Sequence, residues 1–197
     1  MSIALQRFLQ SRPLWAVGCL VLLVSAASFR SSPRPSVHYK DGAPPGMTGG
    51  FGGENCHSCH FDQVLDNPDG LLEVTGVPVS YQPDSIYRIK IHVARPGLGK
   101  AGFALAARFD ENTPAGQLAT LDSTARIAGD AEATPYATHT KAGALIEGDT
   151  ATWNLNWTAP SESDRSAVFN IAANAANGDD SEFGDWIYTV EVLSQPE

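Results

Sequence analysis

The chain has 197 residues, of which 43% are hydrophobic and 18% charged, with 18 glycines and 13 prolines. This composition describes one globular domain with short turns and appendages, and excludes a disordered or coiled-coil protein. Lysine and arginine number 13 against 22 acidic residues, giving a formal charge of -9, so nucleic acid is excluded as a partner. Three cysteines are too few for a disulfide-dense scaffold.

The N-terminus has the order of an export signal. Arg7 and Arg12 precede an apolar run at residues 14–27, and polar residues follow it. The run is short against the roughly 20 residues of a spanning helix. Residues 1–27 are therefore predicted to be a signal peptide, with an uncleaved N-terminal anchor, and so a membrane tether, as the alternative. Cleavage near Ala26 leaves 13 − 2 = 11 basic against 22 acidic residues, and we expect an exported protein that is periplasmic, extracellular or at the cell surface.

Residues 28–70 form a segment rich in glycine and proline. Its prolines stiffen the start, and its glycines exclude a regular helix or strand through the rest. Glycine also lets the backbone approach a flat, bulky ligand closely, because it has no Cβ. We predict a loop folded over a cofactor, with a plain tether as the alternative.

The most specific motif in the chain is Cys56-His57-Ser58-Cys59-His60. This is the C-x-x-C-H pattern of covalent haem attachment, in which two thiols add to the haem vinyl groups and the histidine binds the iron. A thioredoxin-like redox pair would need a βαβ context that the sequence lacks. A structural zinc site would need a second pair of ligands. The motif therefore predicts one covalent haem c, held by Cys56, Cys59 and His60.

The sixth iron ligand is open to several candidates, which are Met47, His38, His92 and His139. His92 alternates with charged residues along a strand and is interpreted as an exposed polar side chain. Met47 lies in the glycine-rich loop, nine residues before Cys56, whereas His139 is predicted to lie on a loop between strands. A thioether raises the reduction potential of the iron, and a second imidazole gives a lower one. We predict His139, with Met47 as the alternative ligand and an open position as a further possibility.

Hydrophobic alternation recurs through residues 71–197. Trp153, Leu155 and Trp157 share one face, with asparagines opposite, and turns rich in glycine, proline and asparagine separate such segments. A strand at residues 86–93 has the same pattern, and Arg88, Lys90 and His92 are on its polar face. The tryptophans are predicted to fill a core. We expect an all-β fold, an antiparallel immunoglobulin-like β-sandwich of seven or eight strands.

A family resemblance supports these predictions. Residues 42–60 resemble the leader of bacterial exported monohaem c-type cytochromes with a Reelin-like (reeler) β-sandwich domain. Similar stretches of that domain follow in order at Gly102-Phe103, His139-Thr140, Trp157-Thr158-Ala159-Pro160 and Asn174-Ala175-Ala176-Asn177-Gly178-Asp179. The resemblance implies a functional position at His139, and it implies residues 28–70 as the haem-binding segment and 71–197 as the Reelin-like sandwich. The leader of such proteins often has His or Arg where this chain has Met47.

The predicted function follows from the motif and from what the sequence lacks. There is no nucleophile elbow, HExxH motif or phosphate loop. We therefore expect an electron carrier rather than an enzyme, one that passes single electrons between redox partner proteins. The alternative is an extracytoplasmic ligand-binding or adhesion module with a structural or sensory haem, because a fold does not fix a function. A small peroxidase or gas-binding protein would require an open iron position.

Overall fold

The computed structural model describes residues 39–129, 134–162 and 164–197. Within these ranges the chain forms two short 3₁₀ turns, Gly50–Gly52 and Cys56–Ser58, and ten strands. The strands are β1 (Leu71–Thr75), β2 (Ser80–Tyr81), β3 (Ile86–Ala94), β4 (Lys100–Arg108), β5 (Gln117–Thr120), β6 (Ala125–Ala128), β7 (Tyr136–His139), β8 (Thr150–Thr158), β9 (Ala167–Ala176) and β10 (Trp186–Pro196). The predicted signal peptide or anchor at 1–27, and His38, lie outside the described residues.

The strands form two sheets, one with the order β1-β3-β8-β5 and one with the order β2-β10-β9-β4-β7-β6. All pairs are antiparallel except β2 with β10. The predicted all-β sandwich is confirmed. The described strands outnumber the seven or eight predicted, because β2, β5, β6 and β7 have only two to four residues each, too few for alternation to show. None of the helices in these ranges has the length and hydrophobicity to cross a bilayer.

The core between the sheets is built on the alternating residues of the long strands. The side chains of Trp153 and Trp157 on β8 are buried there, and the Trp157 ring meets that of Phe169 edge-on at 4.8 Å between centroids. Each indole N–H donates to a backbone carbonyl, that of Trp153 to Gly143 at 2.9 Å and that of Trp157 to Ala115 at 2.7 Å. Buried indoles with satisfied donors fill the core as predicted.

The outward face of the six-stranded sheet is also buried. Its central strands carry small residues there, Ala104 and Ala106 on β4 and Ala172 on β9, with at most 1% of each exposed. Residues 41–66, here called the covering segment, lie across this face. Small side chains allow a further layer of backbone to lie close to the sheet. The glycine-rich loop is thus held against the domain.

The covering segment is fixed to the sheet by specific contacts along its length. The amide of Ala43 donates to the Thr138 hydroxyl at 2.9 Å. The buried guanidinium of Arg108 donates to the Thr48 hydroxyl at 3.2 Å and to the Asn170 side chain at 3.1 Å. At Gly50 only glycine fits, because a Cβ there would lie 1.9 Å from the Asn170 side-chain oxygen. These contacts position the cysteine motif, which comes next in the chain.

Candidate functional site

The C-x-x-C-H motif begins as a single 3₁₀ turn. The Asn55 side chain caps the turn by accepting the His57 amide at 2.8 Å. The carbonyl of Cys56 accepts the amides of Cys59 at 3.2 Å and His60 at 3.0 Å. Cys56 is half-buried and Cys59 is exposed. Burial raises the pKa of the Cys56 thiol to about 12, so the two thiols of the turn lie in different environments.

His60 is held by a buried carboxylate. Its Nδ1 lies 2.7 Å from Oδ2 of Asp185, whose side chain is 1% exposed. The same Oδ2 accepts the Asn174 side-chain amide at 3.2 Å, and Oδ1 accepts the Asn177 backbone amide at 3.1 Å. Because an ionised carboxylate only accepts hydrogen bonds, the Nδ1 of a neutral His60 carries the proton. Nε2 then keeps the lone pair that can bind a metal ion.

The surface beside the motif is apolar. The rings of Phe61 and Phe183 meet edge-on at 5.9 Å between centroids, and both side chains are largely exposed. Asp62 accepts the Gly184 amide at 2.8 Å, which ties the two loops together and lowers the pKa of the Asp62 carboxyl. Within the described residues, the buried Oδ1 of Asn174 has no hydrogen-bond partner. The exposed Phe61 and Phe183 rings fit a flat apolar group attached at the cysteines, since such rings gain stability when a group of this kind covers them.

The predicted ligand His139 lies against the same sheet face as His60. Its imidazole fills the space above Gly102, where a Cβ would come within 2.5 Å of the ring. Gly102 pairs with Asn174 across β4 and β9, and the Asn174 amide lies 3.4 Å from Nδ1 of His60. The two histidines therefore contact opposed residues of adjacent strands. Burial lowers the pKa of His139, so its neutral form is favoured.

His139 ends a strand, which corrects its predicted position on a loop. It is the last residue of β7 and pairs with Ala125 of β6. Beyond the end of the β4–β7 pairing, Nδ1 of His139 lies 3.2 Å from the Phe103 amide nitrogen and 3.4 Å from the Phe103 carbonyl oxygen. The Phe103 backbone thus orients the imidazole.

Met47 and His92, which were also considered for the iron, lie elsewhere. Met47 precedes Thr48, which is fixed to Arg108, six residues along β4 from Gly102. His92 lies on the other sheet, half-buried, with Nδ1 3.0 Å from the Thr152 hydroxyl. The structure therefore brings His139, rather than Met47 or His92, to the end of the sheet that holds His60. The assignment of iron ligands stays a prediction.

His57, between the two cysteines, is half-buried. Its Nε2 lies 2.9 Å from the carbonyl oxygen of Gln63. The chain after the motif folds back over the turn, and this brings the Gln63 carbonyl to the ring. His57 is therefore directed away from the cysteine pair that flanks it.

Sequence reasoning missed Asp185 and Asn174, which complete the setting of His60. Asn174 lies in a stretch that the family resemblance includes, but no role was assigned to it. Asp185 precedes β10 and looks like an ordinary polar residue at a strand end. Its burial depends on packing between distant segments, so no local pattern could indicate it.

Solved structures similar to this chain include reeler and cohesin domains. The human F-spondin reeler domain matches with a TM-score of 0.46 and 17% identity, over 67% of this chain and 93% of that one. The Reelin-N domain of F-spondin matches with a TM-score of 0.46 and 18% identity, over 71% and 96%. The sixth cohesin of Acetivibrio cellulolyticus scaffoldin B, solved with a Cel5 dockerin, matches with a TM-score of 0.36 and 14% identity, over 60% and 96%. No family model and no curated protein matches the chain.

The predicted description of a metal-binding cytochrome is corrected by these findings. Across the described ranges, no group of three or more His, Cys, Asp or Glu side chains could hold a metal ion. The polypeptide therefore forms no metal site by itself in these ranges, because His60 is joined by one carboxylate only. The domain is an all-β sandwich of two sheets.

Proposed function

We propose that this chain is an extracytoplasmic reeler-like module that binds another protein or a ligand, and that it carries one covalent haem in a structural or sensory role. The observation that carries the proposal is the His60–Asp185 pair at 2.7 Å. This pair holds the histidine of the C-x-x-C-H motif against the six-stranded sheet. A haem attached at the motif would therefore pack on the sandwich domain. The proposal includes no catalytic role.

The residues of the site have distinct parts in this proposal. Cys56 and Cys59 would hold the group through two thioether bonds, and Nε2 of His60 would face its iron. The exposed rings of Phe61 and Phe183 offer apolar contact beside the attachment turn. A haem brings four ring nitrogens of its own, so its attachment does not need a cluster of protein ligands. When bound, it would supply an iron centre that changes oxidation state or binds small ligands.

The first test is attachment. We expect the full chain, produced with export in a host that matures c-type cytochromes, to be coloured and heavier than its polypeptide by one haem. The Cys56→Ser/Cys59→Ser variant should be colourless but folded, because the sandwich core lies away from the cysteines. A colourless wild-type protein of bare polypeptide mass would overturn the haem part of the proposal.

The second test separates the binding module from an electron carrier. We expect the visible spectrum of the holoprotein to respond to carbon monoxide if the haem is sensory, and the free energy of unfolding to fall on its removal if it is structural. Rapid, complete cycling between donor and acceptor proteins, with neither response, would favour single-electron transfer instead. Comparing His139→Ala with Met47→Ala then identifies the second ligand, since loss of that ligand converts low-spin iron to high-spin.

A further inference from the structure

The carboxylate of Asp185 is buried and accepts several hydrogen bonds, unlike a carboxylate in a surface ion pair. Three donors reach it, namely Nδ1 of His60, the Asn174 side-chain amide and the Asn177 backbone amide. Burying a carboxylate is costly unless hydrogen bonds compensate for the lost water. With its other contacts made by groups that do not titrate, Asp185 can hold the His60 ring in one orientation.

We propose that Asp185 is a positioning residue for the axial histidine: it fixes the Nδ1–H tautomer and the ring orientation of His60, and increases the electron donation of Nε2. This inference rests on the haem attachment proposed above. A carboxylate that accepts the second ring proton makes an imidazole a stronger ligand. Stronger donation stabilises ferric iron more than ferrous iron, so it lowers the reduction potential.

A nearby carboxylate provides a matched control. Asp62 follows His60 by two residues, but its Oδ2 accepts from Gly184 and Gln63 rather than from the imidazole. Replacing either aspartate by asparagine removes one negative charge near the haem site. Only replacement of Asp185 removes the charged hydrogen-bond acceptor of His60. A comparison of the two variants separates the hydrogen bond from the general effect of charge.

The test uses the holoprotein and its potential. We expect Asp185→Asn to retain covalent haem by mass, and to shift the midpoint potential to a more positive value than Asp62→Asn does. Asp185→Glu, which restores a carboxylate acceptor, should recover part of the shift. Equal shifts in the two asparagine variants, or no shift in either, would overturn the inference while leaving haem attachment intact.

A second measurement does not require haem. In the folded Cys56→Ser/Cys59→Ser variant, nitrogen-15 NMR of the imidazole should show the proton of His60 on Nδ1. Adding Asp185→Asn should increase the population with the proton on Nε2, which is the commoner form of a free imidazole. If the tautomer of His60 is the same with and without the carboxylate, Asp185 does not position the ring. Absence of haem from wild-type protein would instead contradict only the proposed function.

Discussion

The two sheets of the sandwich differ in what lies on their outer faces. On the four-stranded sheet, Arg88 and Lys90 of β3 point outward and are exposed, opposite Asn156 and Asn154 of β8. On the six-stranded sheet, the outward positions Ala104, Ala106 and Ala172 of β4 and β9 are buried beneath the covering segment. One sheet therefore has a core face and a solvent face, and the other has two core faces. The residues of the candidate site come from the doubly buried sheet and from the segment that covers it.

The difference shows how the domain can hold a rigid site on an irregular loop. A glycine-rich segment has high conformational entropy when free. Here it is fixed by Arg108 and Thr138 of the regular sheet and by Asp185, which immediately precedes β10. The rigid sheet thus holds the irregular loop in one conformation, as rigid scaffolds do for functional loops in other proteins.

The largest expected effect compares two alanines that point outward from the two sheets. Ala172 on β9 is fully buried, whereas Ala119 on β5 is exposed. Ala172→Glu should lower the free energy of unfolding by about 3 kcal/mol or more, because it buries an unpaired carboxylate. Ala119→Glu should change it by less than about 0.5 kcal/mol. Urea denaturation of both variants checks this, and similar values would contradict the assignment of two different faces.

A smaller effect is expected from releasing the covering segment at Arg108. This side chain is buried, bonds Thr48 and Asn170, and lies 4.9 Å from the centroid of the Phe51 ring. Arg108→Met leaves the Asn170 side-chain oxygen without this donor, and should cost about 1–3 kcal/mol in unfolding free energy. Limited proteolysis should then cut faster within residues 44–54. Lys90→Met on the open face is the control and should leave both measurements unchanged.

The pH dependence of the unfolding free energy should reveal the protonation of His139, which lies beneath the covering segment. Burial lowers its pKa from the ordinary value of 6.5, so the unfolded chain takes up a proton that the folded chain resists. The stability contributed by neutral His139 is present above pH 6.5 and is lost as the pH falls through the lowered folded-state pKa. The haem-free Cys56→Ser/Cys59→Ser variant should therefore lose stability below that pH. Adding His139→Gln should weaken this dependence, whereas adding His92→Gln should not.

The smallest effect concerns the two cysteines of the attachment turn. In the haem-free wild-type chain, Cys56 is half-buried with its thiol pKa raised to about 12, and Cys59 is exposed. Because the thiolate is the reactive species, iodoacetamide at neutral pH should modify Cys59 first. Peptide mass mapping over time measures this order. Equal rates at the two cysteines would show that the turn does not hold one thiol against the domain.

The sandwich could be predicted because its core is encoded by local alternation. Trp153, Leu155 and Trp157 are buried as predicted, and Arg88 and Lys90 lie on the opposite, polar face. The second core face of β4 was missed, because alanine at its outward positions is small enough for either environment. The run of small outward residues at Gly102, Ala104 and Ala106 of β4 is the signal that could have indicated a covered sheet.

The candidate site was predictable only in part. The cysteine motif is contiguous, so its spacing could be recognised directly. Asp185 follows His60 by 125 residues in the chain and meets it only through the pairing of β9 with β10. The contact between the sheet and His139 likewise depends on Gly102, whose missing side chain leaves room for the imidazole. Such long-range contacts have no local sequence pattern.

The small residues beneath the covering segment determine how short a chain can be expressed as a stable domain. A chain truncated to begin at Leu71 would retain the ten described strands but would expose Ala104, Ala106 and Ala172 to water. It would also leave the Arg108 guanidinium without its Thr48 acceptor. A flat, apolar sheet surface of this kind promotes self-association. Expression designs should therefore start upstream of Asp41, whose backbone and side chain contact Arg126 and Lys141.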